Sequence, residues 1–180
     1  MKKLNYRIEL GTLLTDLNLP WVVAEIGCAE GRFSQQILSW GIDKLFMVDN
    51  WGTIRNQTGD GAFDQSWHDK NFLEAMHRTA VHSDKIVVLR GMSNEMISHI
   101  PDNSLGMAYI DCCHEYGCTK SDLELCFPKV VSGGIIAGHD YLNMSYGVNR
   151  AVKEFCEGKY EISVIDEEEP SMASFYFIKP

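Results

Sequence analysis

A chain of 180 residues with a formal net charge of -9 at pH 7 is long enough for one domain with a substantial core and too short for two large ones. The excess of acidic residues argues against a nucleic-acid partner, because binding to a phosphate backbone depends on clustered Lys and Arg. No apolar stretch approaches the roughly 18 residues that a membrane span needs, and the first residues lack the apolar core of a signal peptide, so we expect a cytoplasmic protein without a membrane partner.

Predicted strands and helices alternate along most of the chain. Strands are predicted near residues 21–26, 44–48, 86–89, 105–110 and 134–137, with helical patterns between them. Alternation of this kind is typical of parallel βαβ units, so we predict a single α/β domain over residues 1–180 with a doubly wound, mostly parallel sheet. Residues 161–165 and 173–178 are β-rich runs joined by a short acidic loop, 166–169, which predicts an antiparallel hairpin at one sheet edge.

The most informative motif follows the first predicted strand, where Glu25-x-Gly27-x-x-x-Gly31 leads into a helix. Glycines let a ligand approach the backbone without a Cβ clash. The motif lacks the middle glycine of G-x-G-x-x-G, which dinucleotide folds use to hold a pyrophosphate, and Glu25 adds negative charge where the phosphates would lie. The turn therefore favours a cationic ligand, S-adenosylmethionine, over a dinucleotide. Cys28 lies inside the turn and joins the expected cofactor contacts, and an ordinary βα turn is the alternative.

Asp49 ends the second predicted strand and is placed to accept hydrogen bonds from both hydroxyls of a ribose, as acids there do in doubly wound proteins. Asn50 and Trp51 follow it and are included in the expected cofactor contacts. Residues 50–67 are polar, contain glycine and carry three large aromatic side chains. Because long loops often cover binding sites, we predict that residues 50–67 form a lid, with a loose surface connection as the alternative.

Two further strand ends carry acids and histidines. Asp111 and His114 follow the fourth predicted strand, and His139 and Asp140 follow the fifth. The carboxyl ends of parallel strands face one edge of the sheet, so we expect these side chains to meet where the cofactor's methyl group points. An unperturbed histidine has a pKa of about 6.5, so it can take the proton of an acceptor hydroxyl. His114 and His139 are the candidate bases, His139 being preferred because it adjoins Asp140; histidines that only order their loops are the alternative.

These segments resemble a known family. The motifs are I-D-x-x-H-x-Y from Ile110, an acid at Asp122, P-x-x-x-x-G-G-x-I-x-x-H-D-Y from Pro128, and G-V-x-x-A-V-x-x-F from Gly147. They are similar to those of methyltransferase family 24, small class I S-adenosylmethionine-dependent methyltransferases, over about residues 20–156. The resemblance implies a Rossmann-like methyltransferase fold, a seven-stranded sheet whose last strand is antiparallel, and O-methylation of a small hydroxylated molecule such as a sugar.

The resemblance also implies roles for single residues. It assigns Glu25, Gly27 and Gly31 to the methionine part of the cofactor, Asp49 to the ribose, and Met92 and Ser93 in the loop from Gly91 to the adenine.

Asp111 and Asp140 match the acids that hold Mg²⁺ in related metal-dependent O-methyltransferases, where the ion lowers the pKa of a bound hydroxyl. Such relatives often carry a third acid where this chain has Cys113 or His139, so the resemblance leaves metal binding open. For Asp111, a cap or a contact to the methionine amine of the cofactor is the alternative role.

Six cysteines in a chain without a predicted export signal are expected to be reduced thiols. Cys28 and Cys156 are interpreted as small buried residues. A structural zinc site built from Cys112, Cys113, His114 and Cys118 is not expected, because neighbouring residues on a strand point in opposite directions and no C-x-x-C pair is present. The remaining histidines are expected on the surface: His68, His77, His82 and His99.

Two other functions stay open from the sequence. A nicotinamide-dependent oxidoreductase uses a similar sheet, although the glycine spacing argues against it. A non-catalytic module that kept only the cofactor pocket is the other, because larger relatives add helices that cover the acceptor and only residues 1–20 precede the first predicted strand. The sequence does not decide between a monomer and a homodimer.

Overall fold

The computed structural model describes residues 3–54, 59–165 and 172–180. In this part of the chain one sheet of seven strands forms the centre of the molecule. The strands are β1 Val22–Ile26, β2 Lys44–Asp49, β3 Ile86–Arg90, β4 Leu105–Ile110, β5 Val130–Gly138, β6 Ser163–Ile165 and β7 Ser174–Ile178. Their order across the sheet is β3-β2-β1-β4-β5-β7-β6, and β7 runs antiparallel to both of its neighbours. The predicted doubly wound sheet with an antiparallel last strand is therefore confirmed.

Helices pack on both faces of this sheet. They are α1 Leu10–Asp16, α2 Arg32–Ser39, α3 Gln65–Thr79, α4 Ser93–Met96, α5 Tyr116–Cys126 and α6 Val148–Cys156. Successive strand residues contribute to two separate hydrophobic clusters, with Val23 and Met107 in one and Ala24 and Ala108 in the other. The strands are apolar on both faces because each face is covered by helices.

Helix α1 was not predicted from the sequence. Leu10 and Leu14 are fully buried and Leu13 is nearly so, and all three join the cluster that contains Val23. The spacing i, i+3, i+4 of these leucines is the pattern of an amphipathic helix. The segment before the first strand is thus part of the core.

The boundaries of several elements differ from the predictions. Strand β5 begins at Val130, four residues before the predicted start, and α3 begins at Gln65, inside the predicted loop 50–67. Residues 55–58 of that loop and the acidic run 166–169 lie outside the described residues. Among the helices of the described part, none combines the length and hydropathy needed to cross a membrane.

Candidate active site

The carboxyl ends of four neighbouring strands, β2, β1, β4 and β5, form one edge of the molecule. Backbone hydrogen bonds link the loops that leave these strands: Gly27 N–H to the Val48 carbonyl at 2.8 Å, Asp111 N–H to the Ile26 carbonyl at 2.7 Å, and His139 N–H to the Ile110 carbonyl at 3.1 Å. The loops that carry the predicted site residues therefore start side by side, as expected for an open parallel sheet.

The two glycines of the first turn are required by packing within the protein. Gly27 has φ +91° and Gly31 has φ +77°, both in the region that favours glycine. A Cβ on Gly27 would overlap the carbonyl oxygen of Asp111, and a Cβ on Gly31 would lie 2.9 Å from Cα of Ala75 in α3. These contacts explain both glycines structurally, and a further role in giving room to a cofactor stays a prediction.

Substituting Gly27 by Ala is expected to destabilise the protein by about 3 kcal/mol or more, because backbone strain and overlap with the Asp111 carbonyl add together. Urea unfolding measures the loss. Gly158→Ala is the matched control, since Gly158 also has a positive φ but nothing lies within 4 Å of its added Cβ. Equal losses in the two variants would contradict the packing explanation.

Asp49 ties the glycine turn to the loop after β2. Its Oδ2 accepts hydrogen bonds from the backbone N–H groups of Cys28 at 2.8 Å and Ala29 at 2.9 Å, and its Oδ1 accepts from the N–H of Trp51 at 2.7 Å. A carboxylate offers about four acceptor positions. Three of these positions are used, which leaves one for a ribose hydroxyl. For Asp49 to accept hydrogen bonds from both ribose hydroxyls, one of its hydrogen bonds from the backbone must be shared or broken.

The loop after Asp49 begins with an anchored tryptophan. Trp51 is 1% exposed, its indole N–H donates to the Ala29 carbonyl at 2.7 Å, and its ring packs edge-on against Phe72 of α3. Farther along, the ring of Phe63 lies 4.6 Å from that of Trp67 and is half exposed. The two described ends of the loop are therefore structured by aromatic contacts, and its role as a lid stays a prediction.

The loop that the resemblance assigns to adenine lies beside the end of β2. Gly91 N–H donates to the Asp49 carbonyl at 2.9 Å, and Met92, an exposed residue, precedes Ser93 at the start of α4. On the other side, the amide of Asn50 donates to the Gly52 carbonyl at 2.8 Å. The predicted contacts to ribose and adenine thus come from neighbouring loops.

Glu25 does not supply the negative charge that the sequence suggested. Its side chain is 2% exposed and accepts a hydrogen bond from the hydroxyl of Ser34. Burial raises its pKa to about 8, and repulsion from Asp111 adds to this, while the Ser34 hydroxyl opposes it. The carboxyl therefore carries a proton at neutral pH, and the preference for a cationic ligand cannot rest on its charge.

Two histidines and two acids meet after β4 and β5. His114 Nε2 lies 3.1 Å from Asp140 Oδ2, and His139 Nδ1 lies 3.5 Å from Asp140 Oδ1 and 3.8 Å from Asp111 Oδ1. His139 and Asp140 are buried, whereas 36% of the His114 side chain is exposed. The predicted convergence of these four residues is therefore present, and His114 is the histidine that solvent reaches.

The backbone and an aromatic ring hold this cluster in place. Asp140 has φ +58°, which is uncommon for a residue other than glycine. Its carbonyl accepts the N–H of Asn143, and the next residue, Tyr141, donates to Ala173. The ring of His114 stacks on Tyr146 with centroids 4.5 Å apart. Strained backbone of this kind persists where surrounding contacts fix it, and it is common at functional sites.

Asp111 lies beside these groups with its side chain 22% exposed. Burial raises its pKa to about 7, the positive partners His139 and Arg7 oppose the rise, and Asp140 adds to it. Arg7 was missed in the sequence, although its guanidinium lies 4.7 Å over the Phe33 ring, 3.4 Å from the Tyr109 hydroxyl and 3.6 Å from Asp111 Oδ2. No motif surrounds Arg7, so only the long-range contact reveals it.

Three of these side chains form a candidate metal site. Asp111, His139 and Asp140 each offer one ligand atom, and the three atoms lie within 4.8 Å of one another. Two carboxylates and one imidazole fit a divalent cation, and the nitrogen ligand makes the set less specific for Mg²⁺ than an all-oxygen site. The sequence named both acids as ligands, and the structure adds His139 to them.

The remaining histidine and cysteine predictions and the cavity beside α6 complete the description. His68 was expected on the surface but is 7% exposed, because α3 turns it inward beside the ring of Trp67. Cys28 and Cys156 are buried as predicted, and the structure contains no disulfide among the six cysteines, all of which are described. A cavity of about 600 Å³ lies beside α6 and is lined by side chains of mixed charge such as Arg150 and Glu157. It lacks the converging acids and histidines of the strand-end edge.

Comparisons with known proteins identify the family of this chain. The family model described as "Methyltransferase domain", methyltransferase family 24, matches residues 24–141, about two-thirds of the chain. No curated protein sequence matches significantly.

Similar solved structures cover most or all of the chain. CalS11, a calicheamicin methyltransferase that is also described as a TDP-rhamnose 3'-O-methyltransferase, is 18% identical with a TM-score of 0.67 over 97% of this chain and 80% of its own. A structure from Streptococcus mutans in complex with SAH is 12% identical with a TM-score of 0.68 over all of both chains. An rRNA methylase from Streptococcus thermophilus is 12% identical with a TM-score of 0.66 over 94% of this chain and 93% of its own. At these identities the likeness establishes the fold.

Proposed function

Because the chain belongs to methyltransferase family 24 and is therefore an S-adenosylmethionine-dependent methyltransferase, we propose that it methylates a hydroxyl group of a small molecule such as a sugar. The observation that carries the proposal is the cluster of Asp111, His114, His139 and Asp140 at the strand-end edge. Methyl transfer is an in-line displacement at the sulfonium, so the protein must align donor and acceptor and remove one proton from the acceptor.

The predicted cofactor contacts remain part of this proposal. They are Glu25, Gly27, Cys28, Gly31, Asp49, Asn50, Trp51, Met92, Ser93 and Asp111. Their support is that the loops after β1, β2 and β3 are neighbours and that Asp49 joins two of them through its carboxylate. Loop 50–67 is proposed as the lid over this region.

We assign the base to His114, with His139 as the alternative. His114 is accessible to an acceptor, and Asp140 at 3.1 Å from its Nε2 can stabilise the imidazolium that forms when the proton is taken. His139 is buried against Asp111 and Asp140 and is better placed to hold a cation or to orient them. This reverses the preference that the adjacency of His139 and Asp140 suggested.

Metal assistance is a separate part of the proposal. Asp111, His139 and Asp140 would hold a divalent cation such as Mg²⁺ or Mn²⁺. Such a cation lowers the pKa of a hydroxyl bound to it. The guanidinium of Arg7 lies 3.6 Å from Asp111 Oδ2 and already balances part of the negative charge, so the cation has a competitor inside the protein.

The acceptor class rests on charge and on the comparisons. The net charge of -9 disfavours a nucleic-acid acceptor, although structures described as rRNA methylases are among the similar folds. The CalS11 fold belongs to an enzyme that acts on a nucleotide-linked sugar, which supports a sugar as the first acceptor to test.

A cytoplasmic location and either a monomeric or a homodimeric state are expected. Gel filtration with light scattering measures the oligomeric state.

Calorimetry and product analysis test the proposal. We expect S-adenosylmethionine to bind and NAD to give no heat, and we expect labelled methyl transfer to one member of a panel of sugars, nucleotide-linked sugars and phenols. Binding without transfer to any acceptor would favour the non-catalytic module, and binding of NAD alone would favour the oxidoreductase. Running the assay with EDTA, Mg²⁺ or Mn²⁺ tests metal assistance, which predicts lower turnover in EDTA.

A further inference from the structure

A second group of metal-ligating side chains lies next to the candidate active site. Cys113 and Cys118 flank the start of α5, and Glu115 lies between them in the sequence. Each residue offers one possible ligand atom: the Sγ atoms of the two cysteines and a carboxylate oxygen of Glu115. These three atoms all lie within 4.8 Å of one another. In a tetrahedral site with bonds of ~2.3 Å, ligand atoms are ~3.8 Å apart. Small side-chain adjustments therefore bring the three atoms to coordination distance.

The backbone already fixes the turn that carries these ligands. The hydroxyl of Thr119 donates to the carbonyl oxygens of Cys113 and Glu115, both at 3.0 Å. Between the ligands, the carbonyl of His114 accepts the N–H of Gly147 at 2.8 Å. The backbone of the turn is thus held by the protein's own hydrogen bonds, and an ion would have to order only the three side chains.

Cys112 takes no part in this group. Its thiol donates to Asp122 Oδ2 at 2.8 Å. Cys112 and Cys113 lie after the end of β4, so the alternation expected for neighbouring residues on a strand does not apply to them, and the ligand atoms of Cys113 and Cys118 come together. Both of these thiols are half-buried and Glu115 is exposed, so an ion can enter from solvent and retain a water molecule.

We propose that Cys113, Glu115 and Cys118 form a binding site for a thiophilic divalent cation such as Zn²⁺, with water as the fourth ligand. Two sulfur ligands select against Mg²⁺ and Mn²⁺, which favour oxygen. The site is therefore chemically distinct from the group formed by Asp111, His139 and Asp140. Because His114 lies between the ligands, a bound ion holds the turn that carries the base; this consequence rests on the proposed function, whereas the binding itself does not.

Titration with Co²⁺, a spectroscopic substitute for Zn²⁺, tests the site in the absence of cofactor and acceptor. The protein is first reduced, and its six thiols are counted with a thiol reagent after denaturation. We expect one Co²⁺ per chain to give a thiolate charge-transfer band and the visible bands of a tetrahedral ion, both abolished by added Zn²⁺. Coordination by the carboxylates and imidazole alone gives no thiolate band, so the absence of this band in reduced protein would overturn the proposal.

Variants identify the ligands. Cys113→Ser and Cys118→Ser are each expected to weaken Zn²⁺ binding by at least about 10-fold, the loss that removal of even an outer-shell partner causes, and the double variant is expected to lose the band. Cys126→Ala, which removes a buried thiol at the other end of α5, is the matched control and retains it. A band that persists in the double variant would reject these ligands. Should that variant not fold, as judged by circular dichroism, exposed Glu115→Gln must still lower the Zn²⁺ affinity.

Discussion

His114→Gln is expected to lower kcat by about 10²- to 10⁴-fold while S-adenosylmethionine affinity stays within a few-fold of the wild type, because general-base catalysis contributes about this much to a rate. Glutamine retains a polar group near Asp140 but cannot take a proton. The stacked partner Tyr146 and the carboxylate at 3.1 Å would remain. Steady-state kinetics with the acceptor found in the panel, combined with calorimetry of the cofactor, measures both quantities.

His139→Gln separates the two histidines. If His139 holds a cation or orients Asp111 and Asp140, the His139→Gln variant should need a higher metal concentration for activity. Its activity should still show the pH dependence that the base imposes. Loss of the base in His114→Gln should instead remove the acidic limb of the pH profile of kcat. The opposite assignment of these two effects would make His139 the base.

His77→Gln is the control for both variants, since His77 is an exposed residue of α3 away from the cluster. Asp140→Asn should lower kcat as His114→Gln does, because it removes the charge that stabilises the imidazolium. It should also raise the metal concentration needed for activity, because Asp140 is a proposed ligand of the cation. Unchanged turnover in both Asp140→Asn and His114→Gln would exclude the proposed base and its partner.

The sheet was predictable because its signals are local. Mostly apolar runs of five or six residues that end at a glycine or an acid predict strands that are buried on both faces. Strands β1, β2 and β4 coincide with such runs. The convergence of Asp111 and His114 with His139 and Asp140 was also predictable, since it depends only on parallel strands ending at one edge.

The features that the sequence did not predict have different physical origins. Arg7 reaches the hydroxyl of Tyr109, which is 102 residues away in the chain, and no pattern in the sequence encodes that contact. Helix α1 has a local signal in the spacing of Leu10, Leu13 and Leu14, which is the pattern of an amphipathic helix. Cys113 and Cys118 meet because a helix starts between them, a detail of turn geometry that residue spacing alone does not specify.

The protonation state of Glu25 is also a property that the sequence alone does not specify. Its identity and its place before the glycine turn were visible in the sequence, and an ionised carboxylate was the natural expectation. Its protonation depends on how completely the fold removes water from it, which is a property of the packed core. The sequence therefore predicts the position of this residue but not its state of protonation.

This protonation predicts that wild-type stability falls as the pH rises from about 4.5 to about 8. Glu25 has an ordinary pKa of 4.5 and a pKa of about 8 in the folded protein, so between these values the folded state holds a proton that the unfolded state has released. The slope of the unfolding free energy against pH is then negative. At about 1.4 kcal/mol for each unit, the loss above pH 8 reaches about 4 to 5 kcal/mol, a large part of the stability of a typical domain.

Glu25→Gln is expected to remove this decline, because the glutamine amide is neutral at every pH and its oxygen can still accept the Ser34 hydroxyl. Urea unfolding at pH 5, 6, 7 and 8.5 measures the difference between variant and wild type, which should be small at pH 5 and grow in favour of the variant toward pH 8.5. Asp111, whose pKa is raised to about 7, contributes a decline to both proteins. Because Asp111 and Glu25 repel each other, this contribution cancels only in part, and the difference is still expected to grow toward pH 8.5.

Two further variants define the source of the effect. Glu124→Gln replaces an exposed carboxyl on α5 and should leave the pH dependence of the wild type unchanged. Ser34→Ala removes the hydroxyl that lowers the pKa of Glu25, so the decline in stability should extend to higher pH than in the wild type. A difference between Glu25→Gln and the wild type that is constant from pH 5 to pH 8.5 would mean that Glu25 is ionised in the folded protein, and its negative charge would then again be available to attract a cationic cofactor.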